Sequence, residues 1–291
     1  MVSVIIPNLN NCQRLEKCLD GLMEQTYPED GFEIIVVDNG SSDGSVELVE
    51  AYPVRFYQMT NTQSPYVCRN KGIREAKGKL IVLLDAKCQP VPEFLSAGIE
   101  MLQQHSLEVV IGNIVFEFQQ PPSAAEWVDR ILFAHGEEIV AHRKNFPAGA
   151  LFLKRELFDQ FGLFLPVRSG GDSEWSSRVF AAGTPIGFAP RAIVNYPAAS
   201  FQVLLKKARR FGKGAKAIYQ AKNGSIPLRW RLRYCLHFLP PNPIRLYGRV
   251  KKHGYAISGY KLVLIWLVLW WFKVVWGWEV IVTRRLYARN S

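Results

Sequence analysis

Two aspartates directly follow apolar runs that read as buried strands, Asp38 after Ile34–Val37 and Asp85 after Ile81–Leu84, and a third, Asp172, follows the Gly-rich turn 169–171 and precedes a helix. A carboxylate closing a buried strand is costly unless it has a partner. In an α/β sheet the carboxyl edge is where ligands bind, and a carboxylate there accepts an N–H, holds a cation or takes a proton. The ordinary alternative is that each aspartate caps the helix or loop that follows. For any single one that account is equally good, but three on one predicted edge favour a site.

Other chemistries find little support. The five histidines (His105, His135, His142, His237, His253) and five cysteines (Cys12, Cys18, Cys68, Cys88, Cys235) form no pair or cluster at metal-ligand spacing. They read as structural or surface imidazoles and reduced thiols. No nucleophile elbow, Walker sequence or G-x-G-x-x-G is present. The N-terminus has no basic segment leading a long apolar one, so the catalytic part is expected to stay inside the cell.

The elements that must position the aspartates follow from periodicity. Short apolar runs at Val2–Ile6, Phe32–Val37, Val54–Gln58, Lys79–Leu84 and Val109–Ile114 alternate with amphipathic stretches. That alternation predicts βαβ crossovers and a largely parallel, doubly wound sheet. Leu15, Leu19, Leu22 and Met23 recur at helical spacing, and Ser41, Ser42 and Asp43 offer capping oxygens to a helix through Val46 and Val49. Beyond Pro121–Pro122 the pattern turns mixed: a helix from Ser123, a strand over Ala148–Lys154, then a helix through Trp175 and Val179. Residues Phe201–Gln220 read as a basic helix, and a Pro-rich break follows at Pro240, Pro241 and Pro243.

Charge separates the chain into two kinds of protein. Residues 1–200 carry 17 Lys and Arg against 24 Asp and Glu, a net of −7, and residues 201–291 carry 19 against Glu279 alone, a net of +18, accounting together for the chain's +11. Such a block meets phosphates of nucleic acid or an anionic membrane. Sparse aromatic interleaving and the lack of a nucleic-acid module argue against the first. The run Leu262–Val282 argues for the second: it holds 18 apolar residues and five of the eight tryptophans, broken by Lys273, Gly277 and Glu279. At 1.5 Å per residue it reaches about 31 Å, roughly a hydrocarbon thickness. Arg249, Lys251, Lys252 and Lys261 precede it and Arg284, Arg285 and Arg289 follow, so a helix lying in the interface suits the pattern as well as a spanning one.

Five segments carry a resemblance. Val2–Asn10, the run from Val37 to Ser45 (Val-Asp-Asn-Gly-Ser-Ser-Asp-Gly-Ser), Arg69-Asn70-Lys71-Gly72-Ile73, Leu83-Leu84-Asp85-Ala86-Lys87 and Ser169-Gly170-Gly171-Asp172-Ser173-Glu174-Trp175 stand in the order and spacing of family 2 glycosyltransferases of the GT-A fold. The resemblance covers about residues 1–215. It implies a Rossmann-like, mostly parallel sheet with a mixed second half and C-terminal membrane-associated helices. It also implies a nucleotide-sugar site, a UDP-sugar above others. Pro7, Asn8 and Asn10 would lie at the end of the first strand, Asp38 at the base, Asn39 also within the donor site, Asp85 near ribose and diphosphate, and Arg69 and Lys71 would supply cations.

One position departs from the family pattern. Where the family usually carries a second Asp, completing a metal-holding D-x-D pair, this chain has Lys87, and near the expected His it has Asn195 and Tyr196. An ammonium cannot ligate Mg²⁺ or Mn²⁺. The expectation is therefore no metal cofactor, with Lys87, helped by Arg209 or Arg210, neutralising the leaving diphosphate; the alternative is Mg or Mn held by Asp85 and substrate phosphates. Asp172 is the expected general base, with Glu174 second.

The organisation expected is a nucleotide-sugar half over 1–120, an acceptor and base half over 121–200, and a basic, membrane-associated region over 201–291. The activity expected is inverting transfer of one sugar to a lipid-linked, lipid or glycan acceptor at the cytoplasmic side of the cell membrane, without nucleic acid as a partner. The Q-x-x-R-W signature of processive synthases is missing near residues 200–215, which favours single transfer. A competing reading keeps nucleotide-sugar or lipid binding without catalysis, in a partner or scaffold of a glycan-assembly system.

Overall fold

A computed structural model of the chain describes residues 1–60, 64–133, 136–142 and 145–282. His135 and the arginines 284, 285 and 289 lie outside the described residues. The strands are β1 (Val2–Asn8), β2 (Phe32–Asp38), β3 (Arg55–Gln58), β4 (Leu80–Leu84), β5 (Gln89–Pro90), β6 (Val109–Glu117), β7 (Ala150–Lys154) and β8 (Ile186–Pro197). The helices are α1 (Cys12–Met23), α2 (Ser45–Val49), α3 (Pro65–Glu75), α4 (Phe94–Gln104), α5 (Ala124–Phe133), α6 (Gly136–Ala141), α7 (Glu156–Phe161), α8 (Gly171–Ala181), α9 (Phe201–Asn223), α10 (Leu228–Leu232), α11 (Pro243–Lys252) and α12 (Gly259–Val282).

The eight strands form one mixed sheet in the order β3-β2-β1-β4-β7-β6-β8-β5. The first four are parallel, and β7 runs antiparallel to both β4 and β6. The sequence places Val109–Ile114 in the same series as the first four strands. It does share their direction, but β7 is inserted between it and β4. The run Ala-Leu-Phe-Leu of β7 is buried along its length and pairs Leu84 with Ala150 and Leu80 with Lys154, so the sheet's centre is closed by a strand from far along the chain. The long β8 escapes the periodicity because exposed Pro190 and Arg191 interrupt it.

Helices cover both faces of this sheet, as continuous apolar strands require. Leu15, Leu19 and Leu22 of α1 and Phe94, Leu95 and Leu102 of α4 pack with Val4, Ile6, Val36 and Val82. On the opposite face α3 approaches β1 so closely that a Cβ on Gly72 would stand 2.4 Å from Ile5 Cγ2.

By internal packing the chain divides into two units, residues 1–116 with 135–197, and residues 117–134 with 198–291. The boundaries expected at 120 and 200 fall near these breaks, but α5 groups with the C-terminal helices. Its Ala125, Val128 and Ile131 share a core with Leu204, Ala208, Ile265 and Phe272. The start of α5 is a capping box: Ser123 Oγ accepts from Glu126 N–H at 3.3 Å, and the Glu126 carboxylate accepts from Ser123 N–H at 2.8 Å. Within this unit the buried carboxylate of Asp129 accepts from Lys207 Nζ at 2.8 and 3.0 Å and from Ala199 N–H at 2.9 Å.

Candidate active site

The strands β1, β2 and β4 end side by side, with Asn8 in register with Asp38 and Asp85 directly after Leu84. Because β7 is antiparallel to β4, its start brings Ala148 and Gly149 to the same edge, where Asp85 N–H donates to Gly149 C=O at 3.1 Å. Three of the predicted positions thus share one rim of the first unit: Asn8, Asp38 and Asp85.

Asp38 is fully buried and its carboxylate is occupied by its own loop. Oδ1 accepts from the Gly40 and Ser41 N–H groups, both at 2.8 Å, and Oδ2 accepts from Ser41 Oγ at 2.5 Å and Asn8 Nδ2 at 2.9 Å. Four donors use the lone pairs of both oxygens. Asp38 thus braces the loop that follows β2 against Asn8. Asn8 Oδ1, beside it, is buried with no hydrogen-bond partner. Asn10, at φ 50°, extends the same construction: its N–H donates to Ser41 Oγ at 2.8 Å and its Oδ1 accepts from Ser42 N–H at 2.9 Å. Asn39 N–H donates to Asn8 C=O at 2.9 Å, and Pro7 stands opposite Val37 in the β1–β2 ladder.

The N-cap of α2 is Gly44, so none of Ser41, Ser42 and Asp43 caps it in the expected way, and Asp43, one residue earlier, comes nearest. Its carboxylate accepts from Ser45 N–H and Oγ at the start of α2 and from Cys12 N–H at the start of α1, while Ser41 and Ser42 face Asp38 and Asn10. Burial raises the Asp43 pKa, but these bonds outweigh it and hold the carboxyl below its ordinary range.

A second cluster grows from α3. Ser64 Oγ accepts from Val67 N–H and donates to Val167 C=O, and Asn70 makes two bonds to the backbone of Phe164, at 2.8 and 3.1 Å. The loop leading to Asp172 is thereby pinned to α3. Arg69, buried, donates to Asp85 Oδ1 and to Ala148 C=O, and its guanidinium lies 5.4 Å from the centre of the Tyr66 ring. Tyr66 donates its hydroxyl to Asp172 Oδ1 at 2.8 Å, and Ala148 N–H donates to Asp172 Oδ2 at 3.3 Å. Asp85, Arg69, Tyr66 and Asp172 thus form one continuous chain of contacts. Burial, then the Asp172 charge, push the Tyr66 pKa far up, so its phenol remains a donor.

The helix carrying Asp172 is itself anchored. Trp175 is fully buried against Phe146, Phe158 and Phe164, and its indole N–H donates to Gly162 C=O at 2.8 Å. Glu174 lies buried and accepts from Arg178 at 3.0 Å, and Arg178 also holds the carbonyls of Phe161 and Leu163. That leaves Glu174 tied to helix anchoring. Lys71 likewise goes elsewhere: its ammonium meets Glu75 at 2.6 Å and the Tyr57 ring at 4.8 Å, in a cluster with Arg55 and Glu33. Arg209 and Arg210 stand exposed on α9, in the other unit.

Lys87 is half-buried in the turn between β4 and β5, and β5 pairs Gln89 with Asn195 of β8. The stretch with Asn195 and Tyr196, where a family histidine is expected, therefore lies beside this turn. As donors for a divalent cation the rim offers Asp38, whose oxygens are already filled, and Asp85, already paired with Arg69. Among the described residues no three His, Cys, Asp or Glu side chains gather to hold a metal. These residues do not fit a metal held by the protein alone. Cys18 and Cys88 lie behind Asp85, and burial first, then the Asp85 charge, push both thiols far up, which leaves them inert.

Comparison with known proteins bears on this geometry. Residues 3–164 match the family model described as "Glycosyl transferase family 2". The chain is 31% identical over 277 residues to "Glycosyltransferase AglE" of Haloferax volcanii, covering 92% of this chain and 91% of that protein. The chain belongs to glycosyl transferase family 2. A second relative, "Glycosyltransferase GlyG" of Streptococcus pneumoniae, is 31% identical over 118 residues, 39% of this chain and 38% of its own length. Among solved structures, a mannosyltransferase from Pyrobaculum calidifontis in complex with GDP-Man and Mn²⁺ superposes with a TM-score of 0.62 at 20% identity, covering 97% of this chain and 87% of that one. TarS from S. aureus, residues 1–349 with UDP-GlcNAc, gives 0.57 at 15% identity over 96% and 89%. These neighbours share the GT-A-like fold. Asp172 lies beyond the matched span.

Proposed function

We propose that this family 2 glycosyltransferase moves one sugar, with inversion, from a nucleoside diphosphate, a UDP-sugar above others, to a hydroxyl of a lipid-linked, lipid or glycan acceptor at the cytoplasmic face of a membrane. The observation that carries this reading is the unbroken chain Asp85–Arg69–Tyr66–Asp172, which links the donor rim to a carboxylate suited to proton abstraction. The named neighbours with GDP-Man and UDP-GlcNAc support a nucleotide-sugar donor.

In this account the donor lies along the loops shaped by Asn8, Asn10 and Asp38, with its diphosphate toward Asp85 and Lys87. Asp172 Oδ1 accepts from the Tyr66 hydroxyl and from Ser173 N–H at 2.9 Å, whereas Oδ2 accepts from Ala148 N–H at 3.3 Å and retains a lone pair for the acceptor hydroxyl. The acceptor oxygen gives its proton to Asp172 and bonds the anomeric carbon, while the bond from that carbon to the diphosphate breaks on the opposite face. The nucleoside diphosphate leaves with the electron pair, and the Lys87 ammonium neutralises its charge. Only the leaving-group step depends on Lys87. Transfer assayed in excess EDTA should persist, with little gain on adding Mn²⁺. Loss on chelation with recovery on Mn²⁺ would overturn the role given to Lys87.

A further inference from the structure

Among the described residues, α12 alone is long and apolar enough to cross a membrane. Its surroundings decide how it meets one. Every exposed side chain from Tyr260 to Val282 is apolar, and Tyr260, Leu264, Leu267, Trp271, Trp278 and Val282 recur at intervals of three, four and seven, which is one face of a helix. The stripe runs about 33 Å at 1.5 Å per residue.

The opposite face is committed to this chain's own polar segments. Trp266 and Trp270 donate their indole N–H groups to Pro241 and Phe238 carbonyls, at 2.6 and 2.9 Å, and Lys273 donates to Leu239 C=O at 3.2 Å. Toward its C-terminal end α12 touches α9, where a Cβ on Gly212 would stand 2.8 Å from Trp276 C=O and 2.6 Å from Glu279 Cβ. Exposed Arg209, Arg210 and Lys213 flank that glycine. Were α12 to span a bilayer with this packing, three exposed cations and the irregular backbone of 238–241 would sit at hydrocarbon depth. Exposed cations are expensive there, and irregular backbone is not tolerated against lipid.

We infer that α12 lies in the plane of the membrane interface, its Tyr260-to-Val282 stripe sunk among the lipids of an anionic leaflet, and does not cross it. The inference rests on the membrane reading proposed above and specifies its geometry. Tryptophan and tyrosine suit the headgroup boundary. Exposed Leu228, Leu232, Leu236 and Leu239, with Arg229, Arg231 and Arg233 between them, add apolar and cationic surface beside α12. Charge selects the occupant: with +18 over residues 201–291, a second copy of this region would be repelled, whereas an anionic leaflet is attracted.

The test uses the full chain and phosphatidylcholine vesicles with and without phosphatidylglycerol. Environment-sensitive probes placed singly at Leu264, Trp271 and Trp278 and quenched at graded depths should report one shallow depth. Depths that run through the bilayer centre would establish spanning and overturn the inference. Trp271→Glu should lower partition into phosphatidylglycerol vesicles about tenfold or more, with thermal stabilisation by a nucleotide sugar unchanged. Equal partition of variant and wild type, or light scattering showing a dimer that Trp271→Glu dissolves, would likewise overturn it. Since vesicle binding needs no turnover, failure of the transferase reading would show separately, as loss of transfer with vesicle binding intact.

Discussion

Tyr66 joins the two ends of the proposed chemistry, because its hydroxyl holds Asp172 while its ring packs beside the guanidinium that holds Asp85. A hydrogen bond to a charged group is worth about 1.5–3 kcal/mol. Tyr66→Phe removes the side-chain donor that orients Asp172 Oδ1. kcat should fall roughly tenfold or more, with donor KM nearly unchanged. A kcat equal to that of wild type would contradict this positioning. Asp38, Asp85 and Asp172 were legible in the sequence because each follows a strand or turn whose pattern is strong. Tyr66 was not, since an aromatic in the first turn of a helix carries no spacing signature and its partner lies 106 residues away. For the same reason the commitment of Lys71 to Glu75 and Tyr57 was hidden beside Arg69.

At the scale of elements, α3 positions the site through four side chains facing different ways: Tyr66 toward Asp172 in the first turn of α8, Asn70 toward the loop before it, Arg69 toward Asp85 after β4, and Ile73 into the core. Gly72 sets its distance from the sheet. Gly72→Ala would place a methyl against Ile5, and overpacking of this kind costs about 1–3 kcal/mol. A lowered Tm together with weakened donor binding is expected, and an unchanged Tm would contradict the packing described. The first, second and fourth strands were readable from continuous apolar runs, α1 from helical periodicity, and α12 from the length of its apolar run. The insertion of β7 was not, since pairing partners depend on distant residues. The alliance of α5 with the C-terminal helices was hidden too, although Ser123 and Glu126 carry the capping-box signal that marks its start.

For the whole molecule, charge is arranged so that ordered carboxylates support the fold while cations crowd the last third. Burial raises the pKa values of Glu33, Asp43 and Glu126, but hydrogen bonds from Ser3 and Lys77 to Glu33, from Ser45 and Cys12 to Asp43, and from Gln119 and Ser123 to Glu126 bring all three below the ordinary range. Carboxyls depressed on folding contribute stability above their unfolded pKa, near 4, and lose it as pH falls through the folded values. The urea midpoint should therefore hold steady between about pH 6 and 8 and fall below about pH 4, where unpaired cations also repel. A midpoint that is constant or rises through that acid range would contradict this.

The central claim is that a rim able to grip an activated sugar is wired to a base that deprotonates the acceptor. Asp172→Asn tests it most directly, with donor binding read by thermal stabilisation and transfer read as product formed from the same nucleotide sugar. The account predicts donor binding within about twofold of wild type and transfer reduced by about a hundredfold or more. Turnover at the wild-type rate with donor binding intact would contradict it.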